Sequence, residues 1–180
     1  MGELTDRLER LVVEASSPDD MIKVTAQGRY EIRVQFQRGA YYGYTDREIA
    51  RQLAAVASLV WARYRREYTE IVAAFRDDPD AAGEDEPRDR VFQERLEQMT
   101  VTGASESGRI SLRSRALVRW EVTIADGTVR SLSQQEFLAE LSTALAAVFD
   151  DYRAQLIILT DEIYDIGVPD SFRRAVAGRK

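Results

Sequence analysis

The stretch "GRISLRSRALVRW", residues 108–120, sets Arg109, Ser111, Arg113 and Arg115 at alternate positions, and Arg119 follows shortly after. Successive side chains of a strand point to opposite faces, so these residues share a face turned away from Ile110 and Leu112. Guanidinium groups grip phosphate bidentately, which makes the stripe a candidate nucleic-acid contact. Its other reading is a solvated sheet face kept soluble by charge. The tail "PDSFRRAVAGRK" adds Arg173, Arg174, Arg179 and Lys180 against Asp170, and Phe172 and Val176 at i, i+4 suggest a short docking helix. Such a tail is either a basic arm with salt-dependent affinity for DNA or a solvated end.

Two further stretches mix charge with aromatic rings. In "WARYRREY" (61–68), Arg63, Arg65 and Arg66 flank aromatics, but Arg63–Glu67 and Arg66–Glu70 fall at i, i+4, the spacing of helix-surface ion pairs. In "AYYGY" (40–44), Tyr41 and Tyr44 belong to the core and Tyr42 remains outside as a candidate partner-binding ring.

Catalytic chemistry finds no foothold. Histidine and cysteine are absent, which removes imidazole and thiolate nucleophiles and nearly all zinc sites. Phosphate-binding glycine motifs are missing. Asp150-Asp151 and Asp161-Glu162 are adjacent on a helix and diverge, and Asp77, Asp78 and Asp80 lack the spacing of a calcium loop. The expectation is a non-enzymatic chain without metal or cofactor.

The 180 residues carry a net charge of −6, with 23 arginines and only two lysines. Residues 1–75 hold 11 acids and 11 bases, and residues 106–180 hold 11 and 10. The acidity is concentrated between them, in "RDDPDAAGEDEPRD" (76–89). No apolar run is long enough to span a membrane, and the start "MGELTDRLERL" is charged from its third residue, so a cytoplasmic chain is expected.

The elements that must position these residues come twice. Shifted by 88 residues, 4–75 falls on 92–163 without a gap, with about 13 identities that include Arg7/Arg95, Gly39/Gly127, Glu48/Glu136 and Tyr64/Tyr152. Each half opens with a short amphipathic helix, Leu4, Leu8 and Leu11 in one and Phe92, Leu96 and Met99 in the other, with Pro87 suited to the first turn. Alternation then predicts strands through Ile22–Val24, Ile32–Phe36, Ile110–Leu112 and Val118–Ile124. "ADGT" (125–128) predicts a type I′ hairpin turn, with Arg38-Gly39 in its place in the first half. A third strand is expected through Tyr41–Tyr44 and Thr128–Leu132. Thr45-x-x-Glu48 and Ser133-x-x-Glu136 are capping boxes, each opening a helix of about thirty residues with one apolar stripe. Stripes that long exceed what a three-stranded sheet covers, so the two helices are expected to pack together and join the halves as an intramolecular pseudo-twofold dimer.

An α-β-β-β-α unit with such a capped final helix resembles the YbaB/EbfC family of small nucleoid-associated proteins, including relatives that accompany actinobacterial secretion systems. "MIKVTAQGRYEIRVQF" is similar to the family's V-x-V-x-x-x-G strand pair and "YTDREIARQL" to its D-x-E-x-L helix start. The second half departs from both, with Ala116 for Gly28 and Gln134 for Asp46. The resemblance implies homodimer protomers fused into one chain: repeats at 1–75 and 92–164, an acidic linker at 76–91 and a basic tail at 165–180. It also implies two partners. One is double-stranded DNA, for which strand alternation and the basic tail, rather than the resemblance, offer Arg109, Arg113, Arg115, Arg119, Arg173 and Arg174. The other is a client protein, held as by a secretion-associated chaperone in an apolar groove between the long helices. Whether the fused unit stays single or pairs again as a homodimer is left open by the sequence.

Overall fold

The computed structural model describes residues 2–28, 31–74 and 87–178. Arg29, Phe75, the acidic residues Asp77, Asp78 and Asp80, the linker up to residue 86, Arg179 and Lys180 lie outside the described residues. The fold is α+β. The first half runs α1 (Gly2–Glu9), β1 (Val12–Ser16), β2 (Ile22–Gln27), β3 (Glu31–Phe36), a 3-10 turn (Ala40–Gly43) and α2 (Asp46–Ala74). The second runs α3 (Pro87–Gln98), β4 (Thr100–Ala104), β5 (Ile110–Arg115), β6 (Arg119–Ile124), the one-turn α4 (Thr128–Ser131) and α5 (Gln134–Tyr164), and α6 (Asp170–Ala177) follows.

Each half forms a three-stranded antiparallel sheet in sequence order. All three strands of the second half begin and end 88 residues after those of the first, and so does the helical turn that follows them. Backbone detail repeats as well. Ser17 Oγ accepts from the amide of Ile22 at 2.9 Å, and Ser105 Oγ from Ile110 at 3.1 Å. Gly39 and Gly127 both sit at φ 80°. Buried residues pair off across the shift, among them Val13 with Val101, Ile22 with Ile110, Ile49 with Phe137, Leu53 with Leu141 and Val60 with Val148.

Both capping boxes form. The Thr45 amide donates to Glu48 at 2.9 Å and that of Ser133 to Glu136 at 2.7 Å, with the hydroxyls accepting in return. These contacts hold the carboxylates below their ordinary range, chiefly through the Thr45 amide for Glu48 and the Ser133 hydroxyl for Glu136.

Three expectations need correction. The third strand of each sheet is not the segment after the glycine turn. It is β1 and β4, short runs of small residues whose alternation is a weak signal. Tyr41–Tyr44 and Thr128–Leu132 curl into helical turns instead, which buries Tyr41 and Val129 against the core. "ADGT" closes no hairpin. Gly127 uses its left-handed φ to swing the chain from β6 into α4. Finally, no long seam joins α2 to α5. Beyond its own β1 and β2, α2 lies along β6 of the other half, and α5 lies on β4 and β5. The long helices meet at a point where the Trp61 and Phe149 rings approach to 5.7 Å.

The halves are nevertheless tied into one core. Phe36 and Tyr41 pack on Phe137 with ring centroids 6.1 and 5.3 Å apart, and Tyr41 and Phe137 are fully buried. Tyr41 donates its hydroxyl to the carbonyls of Val129 and Leu132. Asp46 closes the junction by accepting from the amides of Gly127 at 2.7 Å and Val129 at 2.8 Å, so the start of α2 caps the start of α4.

Candidate phosphate-binding face

The outer face of the second sheet is set by strand register. Arg115 is paired with Thr100 on one side and Arg119 on the other, and Arg113 with Thr102 and Glu121. Ser111, Arg113 and Arg115 are exposed while Ile110, Leu112 and Ser114 between them are buried, as alternation requires. Arg113, Arg115 and Arg119 thus stand together, lining a shallow hollow of about 440 Å³ with Gln98, Thr100 and Glu121. Arg115 donates its Nε to the Glu97 carbonyl at 3.4 Å, and its terminal nitrogens make no ion pair among the described residues. Among the described residues, neither Arg113 nor Arg119 has an ion-pair partner.

Not every residue of the predicted stripe belongs here. Arg109 precedes β5 and is half-buried. It reaches the Ser131 hydroxyl at 3.4 Å and attracts the carboxylates of Glu136 and Glu140. Arg173 turns inward, with its guanidinium against Asp161, whose side chain is completely buried and also accepts from the Val168 amide at 2.9 Å. This pair fastens α6 onto α5, with Val176 buried beneath. A guanidinium held by a buried carboxylate is not offered to a phosphate. Arg174 is exposed, its Nε on the Asp170 carbonyl at 3.3 Å. The structure therefore lines one hollow with Arg113, Arg115 and Arg119, while Arg109 and Arg173 are engaged by Ser131 and Asp161.

The corresponding face of the first sheet neutralises itself. Lys23 pairs with Glu14 at 2.7 Å and Arg33 with Glu31 at 2.7 Å. The second face carries three arginines with Glu121 between them on the sheet and Asp150 and Asp151 of α5 at its edge beside Arg113.

The remaining candidates divide as follows. Tyr42 is 70% exposed and stacks edge-on against Tyr41 at 5.2 Å. Arg66 pairs with Glu67 and Glu70 at 3.8 and 3.9 Å. Arg63 reaches the Glu14 carbonyl at 2.6 Å rather than Glu67, and Arg65 reaches the Ala116 carbonyl at 2.9 Å. Sequence reasoning missed Arg65, Gln98 and Thr100 at this site. The one hint was Ala116, standing where the first half has glycine. Among the described residues, no helix is long and apolar enough to cross a membrane.

No protein-family model, curated protein or solved structure matches this chain.

Proposed function

We propose that this chain is a non-enzymatic, internally duplicated relative of the YbaB/EbfC proteins, two protomers fused as a pseudo-twofold unit, and that it binds the phosphate backbone of nucleic acid through the second sheet. The observation that carries this reading is the cluster of Arg113, Arg115 and Arg119, exposed on one face and lacking ion-pair partners among the described residues, while the matching face of the first half pairs its own charges. Guanidinium groups that no carboxylate neutralises are available to anions, and phosphate contacts of this kind carry no sequence preference. The net charge of −6 opposes approach to a polyanion, so binding is weak and confined to low salt.

The test is binding of random-sequence duplex across a salt series. Contacts to two or three phosphates give a log–log slope of about −1.8 to −2.7, which replacement of all three arginines by alanine abolishes. Absence of binding at the lowest salt overturns the proposal.

One observation favours a second reading, a client protein. A hollow of about 610 Å³ between α3, β4, α5 and α6 presents Met99, Ile158, Leu159 and Val176 beside Arg95 and Glu162. It replaces the groove once expected between the long helices, which do not pack along their length.

A further inference from the structure

The β5–β6 hairpin brings two unfavourable choices to one place. Arg115 and Arg119 are directly opposed cross-strand partners on the exposed face, and like charges in that relation destabilise a sheet. The turn between them runs through Ala116 and Leu117 at φ 53° and 56°, a left-handed pair that side chains disfavour. In the first half, Gln27 and Glu31 occupy the opposed positions and glycine takes the place of Ala116.

The strained turn is held from three sides. The Ala116 amide donates to the Met99 carbonyl at 2.8 Å, and Trp120 Nε1 donates to the Leu117 carbonyl at 2.8 Å. From the other half of the chain, Arg65 on α2 donates to the Ala116 carbonyl at 2.9 Å. Leu117 is buried, which anchors the turn by its side chain as well. Local conflicts that the surroundings hold in place are a mark of functional sites.

We propose that the hairpin is a two-arginine clamp for a single phosphate group, and that Arg65 is the positioning residue that sets it. The proposal rests on the phosphate-binding reading of this face and narrows it to one pair of side chains. Opposed residues bring their Cβ atoms to about 5 Å, within reach of one tetrahedral anion for both side chains, Arg115 using its terminal nitrogens while its Nε donates to the Glu97 carbonyl. Arg113, one residue pair along, meets the neighbouring group of a longer anion. The chemistry suits a phosphodiester of nucleic acid and the phosphate of a free polyphosphate alike.

The experiment titrates the whole chain with inorganic tripolyphosphate by calorimetry and, separately, with random duplex across a salt series. Arg115→Ala and Arg119→Ala each weaken tripolyphosphate binding about tenfold or more. Arg65→Ala weakens it while leaving the duplex salt slope unchanged, because Arg65 itself touches no phosphate, and Arg65→Lys, which retains a donor, restores it. Tripolyphosphate bound without duplex keeps the clamp and overturns the nucleic-acid reading. Duplex bound with an undiminished slope in the doubly substituted Arg115→Ala/Arg119→Ala chain overturns the clamp and moves nucleic acid elsewhere. If neither probe binds, both proposals fall.

Discussion

Gly103→Ala tests how closely the second half is packed. Gly103 lies in β4 beneath α5, and a Cβ at that position would fall 2.5 Å from both the Ala144 carbonyl oxygen and the Val148 amide nitrogen, and 2.8 Å from Val148 Cγ2. Two of these neighbours are helix backbone, which no rotamer change can move aside. Ordinary contact needs α5 to retreat by about 1 Å, pulling Ala144 and Val148, both fully buried, out of register with β4. Overpacking of this kind costs about 1–3 kcal/mol, and a clash against backbone belongs at the upper end. Relief of glycine's entropy cost in a strand returns about 0.5 kcal/mol. The net loss is about 2 kcal/mol, a fall in Tm of about 4–8 °C for a chain of this size. Circular-dichroism melts and urea titration measure it, with the denaturant slope unchanged. The first half holds Ala15 at the matching position, 3% exposed, so the second half alone should be intolerant of the added methyl. A Gly103→Ala chain that melts within about 1 °C of the parent refutes the close approach of α5 to β4.

Other outcomes follow from the same geometry. Asp46→Ala strips the acceptor from the Gly127 and Val129 amides at the junction of the halves and should cost about 2–3 kcal/mol in urea unfolding, two charge-assisted bonds being lost at a half-buried site. A single cooperative transition that shifts as a whole marks the halves as coupled, whereas a second transition shows that they unfold apart. Arg173→Ala leaves the buried carboxylate of Asp161 without its cation, at a cost of about 3 kcal/mol, and frees α6, which hydrogen exchange or limited proteolysis of residues 165–178 detects. Duplex affinity should not change, since Asp161 already engages the Arg173 guanidinium. At alkaline pH, burial first of all pushes the Tyr41 hydroxyl up to about 12, and burial followed by its hydrogen bond to Asp19 raises Tyr44 as well. Both phenols ionise near pH 10 once unfolded, so their contribution to stability is full below pH 10 and is lost as pH rises through about 12. Ultraviolet absorbance read beside circular dichroism should show these two rings titrating only as the fold is lost. Reversible ionisation of all eight tyrosines near pH 10 with the fold intact would contradict their burial.

Local signals were legible along the chain wherever one segment carried its own answer. The 88-residue shift, the capping boxes at Thr45 and Ser133, Pro87 at the start of α3 and the alternation that exposes Arg113 and Arg115 all depend on periodicity or on contacts within a few residues. What needed a partner from elsewhere was not legible. Val13 and Ala15 form a strand because β2 supplies hydrogen bonds and α2 covers them, not because five short residues demand it. Tyr41 leaves the extended state because its ring and hydroxyl find Phe137, Val129 and Leu132 in the other half. Arg109 and Arg173 look like their neighbours in one dimension, and only the fold places carboxylates against them while Arg113 and Arg119 make no ion pair among the described residues. Periodicity encodes which face a side chain takes, because backbone geometry is the same in every protein. Which charge meets which depends on how whole elements pack, as when α6 brings Arg173 onto Asp161 of α5 and α2 brings Arg65 onto the Ala116 carbonyl.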